Sequence, residues 1–194
     1  MFSHLRSAKS FDVRDSFNAP KMDAYHMSTN GVGSYSGMGN LERAVLINFG
    51  NGEGSRLEYI LGEAANDASL KGKSPTLTVD NVGNGRKTNF THAFANMRRL
   101  KTATISNTGA NANMQYFFNE DFALTNLTMT NVGYGPYASL NRACHMVGSN
   151  GNNTDNWPQT PANTPDFIQA GENARIDLVN VGTSANDFTH MFWN

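Results

Sequence analysis

The stretch Leu77-Thr78-Val79-Asp80-Asn81-Val82-Gly83 alternates apolar and polar residues and then runs into Asn-Val-Gly. A period of two places Leu77 and Val79 on one face of a strand. Asn and Gly are the residues that tolerate φ > 0 where a chain must change direction. The same pattern of apolar, any, apolar, any, Asn, any, Gly recurs in four other places. Its copies are Ala44, Leu46, Asn48 and Gly50; Ala103, Ile105, Asn107 and Gly109; Leu127, Met129, Asn131 and Gly133; and Ile176, Leu178, Asn180 and Gly182. Asn48, Asn81, Asn107, Asn131 and Asn180 are therefore read as turn-holding residues, since an Asn amide bonds to nearby backbone groups.

An apolar residue restarts the alternation eight or nine residues after each Asn, at Leu57, Phe90, Tyr116, Leu140 and Phe188. The unit reads as strand, loop and return strand. Two return segments nearly match, Phe90-Thr91-His92-Ala93-Phe94 and Phe188-Thr189-His190-Met191-Phe192. Successive Asn positions lie 33, 26, 24 and 49 residues apart, too uneven for a solenoid of fixed repeat. The expectation is an all-β fold, an antiparallel β-sandwich or jelly roll built from about five hairpins. Leu46, Val79, Phe90, Phe94, Ile105, Tyr116, Phe118, Leu127, Met129, Ile176, Leu178, Phe188 and Phe192 would fill its core. Leu57 to Leu70 is the one segment read as a short helix.

The chain has 194 residues, enough for one domain with a sizeable core. Its 26 Asn make this the commonest residue, which favours turns and strands over helix. Lys and Arg total 15 against 16 Asp and Glu, a balance that argues against direct nucleic-acid binding. No apolar run is long enough to span a membrane, and the opening Met1-Phe2-Ser3-His4-Leu5-Arg6 has no h-region. A chain made and used without secretion is expected. No phosphate-binding loop, His-Glu-x-x-His, Gly-x-Ser-x-Gly or paired Cys-x-x-Cys is found, so no enzyme activity and no cofactor are expected.

Residues 1–40 are read as an extended N-terminal arm and linker, and residues 41–194 as the sandwich. Phe2, Leu5, Phe11, Val13 and Phe17 are scattered among charges and lead into a Gly/Ser-rich join. Such a segment has no core of its own, and its apolar residues are candidates for partner binding. A second unusual segment, Val147 to Asp166, is rich in Asn and Pro and has Trp157 at its centre. Long loops carry function, and the Trp157 ring suits a sugar or a partner surface.

Three other constellations invite chemistry. His92 and His190 hold equivalent places in the matched segments and suggest a two-histidine metal site, but a third ligand of known spacing is lacking. Cys144 and His145 adjoin, yet neighbours on a strand face opposite ways; Cys144, the single cysteine, reads as a core residue. Glu53, Glu58, Glu63, Asp80, Glu120, Asp121 and Asp177 show no paired acid and base placement.

With its turns Asn81-Val82-Gly83, Asn131-Val132-Gly133 and Asn180-Val181-Gly182 and its N-terminal arm, the sequence resembles bacteriophage virion structural proteins, and among them capsid decoration or cement proteins most. That resemblance implies a virion protein that clamps neighbouring subunits and stabilises the shell. Its partners would be the major capsid protein or other virion subunits, and its own state a homo-oligomer, with a trimer favoured. The alternative is a glycan- or receptor-binding module of a phage tail or spike, with Trp157 as the contact.

Overall fold

The computed structural model describes residues 7–24, 38–66, 68–70, 72–121, 123–145, 147 and 175–192. Its strands, in chain order, are β1 (Ser10–Ser16), β2 (Arg43–Phe49), β3 (Thr76–Val82), β4 (Thr102–Thr108), β5 (Phe118–Asn119), β6 (Asn126–Val132), β7 (Cys144–His145) and β8 (Arg175–Val179). Among the described residues, six of these form one sheet in the order β1-β2-β3-β4-β6-β8, and every neighbouring pair is parallel. The short strands β5 and β7 pair in parallel on their own.

The antiparallel sandwich of hairpins is therefore corrected to a parallel stack of coils. In the circuits from β2 to β3, β3 to β4 and β4 to β6 the chain leaves the strand through Asn-x-Gly and, among the described residues, bends round the core before the next strand starts beside the first. The segments expected as return strands are a ladder of single parallel bridges, Asp23, Arg56, Asn89, Asn113, Ser139 and Asp187, the last five followed by turns. His92 and His190, at the centres of the matched segments, have φ of 56° and 54°, a left-handed conformation that ends strand alternation. Uneven spacing does not prevent stacking, because the strand and its bend are constant while the return path varies. The interval between β2 and β3, for instance, accommodates a short 3-10 helix, Ala68–Leu70. That turn is the helical element among the described residues, and positive φ at Tyr59, Glu63 and Ala65 rules out a helix across Leu57–Ala65.

Register brings like residues together. Leu46, Val79, Ile105, Met129 and Leu178 form one row across the sheet, and Ala44, Leu77, Ala103, Leu127 and Ile176 another. Of the expected core, Leu46, Val79, Phe90, Phe94, Ile105, Phe118, Leu127 and Met129 are buried. Phe90, Phe94, Phe117 and Phe118 pack together with ring centroids 4.9–5.7 Å apart. Tyr116 is a correction: it is only half-buried, and Met114, one residue past the bridge at Asn113, takes the place held by Leu57, Phe90, Leu140 and Phe188 in their own coils. Ile176, Leu178, Phe188 and Phe192 are a second correction, since all four are exposed.

The strand β1 lies within the stretch set apart as an arm. Phe11 is buried opposite Ala44, and Val13 and Phe17 pack against the core. Phe2, Leu5 and Trp157 lie outside the described residues.

Candidate functional site

Parallel strands in register set equivalent side chains about 4.8 Å apart, so the recurrent Asn residues meet one another. All five have φ between 47° and 53°, the left-handed bend anticipated from the sequence. Their amides also form two directional runs of hydrogen bonds, one ending on Asp15 and the other on Asp80. Asn48 Nδ2 donates to Asp15 Oδ1 at 2.7 Å, and Asn81 Nδ2 to Asn48 Oδ1 at 3.2 Å. Asn107 Nδ2 donates to Asp80 Oδ1 at 3.0 Å, Asn131 Nδ2 to Asn107 Oδ1 at 3.0 Å, and Asn180 Nδ2 to Asn131 Oδ1 at 3.1 Å. Every donor belongs to the later coil. A second amide row supports the first coils: Asn18, Asn51 and Asn84 each accept a backbone N–H from the following coil and donate to one of its carbonyls.

Asp15 went unnoticed in the sequence, although Phe11, Val13 and Asp15 repeat the apolar, apolar, Asn spacing with Asp in place of Asn. Allowing that exchange, and Phe17 where the other copies have Gly, would have revealed a sixth copy, and with it β1.

The coil that begins at β8 differs from the others. Ile176 and Leu178 continue the buried rows of Leu127 and Met129 but are 40% and 39% exposed. Phe188 and Phe192 take the places of the fully buried Phe90 and Phe94 and are 44% and 48% exposed. Among the described residues, β8 is also an outer strand of the sheet, paired with β6 on one side. Asn180 is exposed, and no described residue bonds to its Oδ1. This end of the stack thus presents an apolar face, a strand edge and an amide acceptor side by side. The Arg175–Asp177 ion pair beside it, 2.7 Å and exposed, adds little stability.

The other candidates occupy the side of the stack. Tyr59, His92 and Tyr116 lie one above another with centroids 4.9 and 4.8 Å apart and nearly parallel rings. The Arg142 guanidinium covers Tyr116 and donates to its hydroxyl. Because Tyr116 and Arg142 stand in the coils between His92 and His190, the column does not bring the two histidines together. Burial lowers the pKa of His92 and favours the neutral ring. Among the described residues no cluster of His, Cys, Asp and Glu is arranged for a metal.

Cys144 is buried, and its thiol pKa is pushed up to about 12 by desolvation and then by Asp121, so it is protonated at neutral pH. His145, on the outer side of β7, holds Asn119 Oδ1 through Nδ1 at 2.6 Å. Asp121 is fully buried; its Oδ1 accepts the Met97 N–H at 2.7 Å and its Oδ2 has no hydrogen-bond partner.

Burial raises the Asp121 pKa well above the usual carboxyl range. A carboxyl whose pKa is raised by folding contributes stability that is fully present below its unfolded pKa and is lost as pH rises through its folded one. The Asp121→Asn variant will lose less stability than wild type between pH 4 and pH 8. Denaturant midpoints across that range check this, and parallel falls in the two proteins would refute it.

No protein-family model, curated protein or solved structure matches the chain.

Proposed function

We propose that the protein is a non-enzymatic structural component that joins a larger protein assembly through the open coil at β8. The exposure of Ile176, Leu178, Phe188 and Phe192, in rows that are buried in the coils beginning at β2, β3, β4 and β6, carries this reading. Contiguous apolar patches on soluble proteins mark interaction sites. An unpaired strand edge beside such a patch accepts a partner strand through main-chain hydrogen bonds, with alternate side chains entering the face. A virion shell is the proposed setting, and the major capsid protein or another virion subunit the proposed partner. That setting rests on the resemblance of the Asn-Val-Gly turns, since the sandwich is replaced by the stack.

A labelled synthetic peptide of residues 126–143 carries one whole strand and bend and serves as a stand-in for the partner. Fluorescence anisotropy should show that it binds the full chain. Binding should weaken at least tenfold when Leu178→Asp and Phe188→Ser are introduced together, both at exposed positions. Equal binding by the double variant, or no binding by wild type, would sink the reading.

A further inference from the structure

We infer that the amide ladder gives the stack a direction: its two runs close on Asp15 and on Asp80, and Asn180 leaves the second open at the β8 end, so the strand that docks on β8 runs parallel to it and brings an amide donor. This rests on the docking reading above and names the chemistry of the partner.

The direction follows from which atoms can donate. An ionised carboxylate only accepts hydrogen bonds. Asn48 must therefore turn its Nδ2 toward Asp15, which leaves its Oδ1 to accept from Asn81. Asp80 imposes the same orientation on Asn107, and through it on Asn131 and Asn180. The two carboxylates thus set the orientation of every amide in the column, and the last one presents its Oδ1 to whatever lies beyond β8.

A docking strand completes the ladder only if it has Asn, or another amide donor, at the position of Asn180. Its apolar residues at the two alternate positions before it would then fall on Leu178 and Ile176. The register is the one already seen at five interfaces between strands of the sheet.

The first strand of a second copy does not meet these requirements. Stacking β1 on β8 would set Asp15 against Asn180 Oδ1, two acceptors facing each other with no proton between them. Its outward face is also charged, with Asp12 paired to Arg14 at 2.8 Å and to Arg43 at 3.4 Å, a device that blunts sheet edges. Head-to-tail contact of the kind that builds open filaments is opposed at the ladder, and the occupant is a strand of a different protein.

The anisotropy assay tests this with four labelled peptides and the full chain. Peptide 126–143 should bind, and its Asn131→Asp form severalfold more weakly, because a carboxylate there would face Asn180 Oδ1 with no donor between the two acceptors. Peptide 8–24, which contains Asp15, should not bind detectably, whereas its Asp15→Asn form should. Equal binding by peptide 126–143 and its Asn131→Asp form would overturn the donor requirement while leaving the docking reading intact. Failure of all four would overturn both. Light scattering on the full chain supplies a further check: concentration-dependent association lost on Leu178→Asp would assign the face to a second copy and overturn the inference.

Discussion

Replacing Gly83 with alanine will lower the unfolding free energy by about 2–4 kcal/mol. Gly83 has φ of 61°, where an L side chain is strained. A Cβ there would also lie 2.2 Å from Cε2 and Cζ of Phe90 and 3.1 Å from Leu57 Cδ1. The Phe90 ring cannot swing aside freely, because Phe117 meets it edge-on at 5.4 Å in the centre of the core. The two penalties can be separated. Gly72 has φ of 74°, but no atom lies within 4 Å of its ideal Cβ, so Gly72→Ala carries the backbone strain alone. Denaturant unfolding of the three proteins should place Gly83→Ala well below Gly72→Ala, and Gly72→Ala modestly below wild type. Equal losses in the two variants would show that Phe90 yields and that the close approach costs nothing.

Truncating Phe94 to alanine will cost about 3–5 kcal/mol. Phe94 is fully buried and touches Phe117 at 4.9 Å and Phe118 at 5.7 Å, so its removal opens a void bordered by side chains from the adjacent coil. In a stack, each coil is stabilised chiefly by its neighbours. Losing this contact should therefore loosen the interface between the coils that begin at β3 and β4. Phe192, in the equivalent place of the open coil, is 48% exposed, and Phe192→Ala should lose less than half as much. Guanidinium midpoints measure both, and similar losses would mean that Phe192 is covered in solution.

Much of the local structure was legible without coordinates. Each of the five Asn-x-Gly copies bends where expected, because a preference for φ > 0 belongs to the residue itself and needs no partner. The apolar rows before each Asn were also identified correctly as strand faces. The return segments were misread because Phe90-Thr91-His92-Ala93-Phe94 alternates in composition, whereas its backbone turns left-handed at His92. Phe90 and Phe94 reach the core from consecutive turns instead of one strand.

The candidate site was legible in its residues but not in its role. Ile176, Leu178, Phe188 and Phe192 are apolar at the spacing of the other copies, and on pattern alone they belong in the core. Exposure is a property of what lies beyond a coil, which the pattern within it does not contain.

The sequence by itself determined five short strands, each closed by an Asn-x-Gly bend, and most of the residues that face inward. Only the tertiary structure decided that neighbouring strands run the same way, since alternation of period two suits parallel and antiparallel pairing equally. The physical reason lies in the columns. Asn48 reaches Asn81, and Tyr59 stacks on His92 and His92 on Tyr116, because a parallel register sets like residues side by side. An antiparallel hairpin would have carried each Asn to the opposite end of its neighbour, and the ladder, its direction and its open end would not exist.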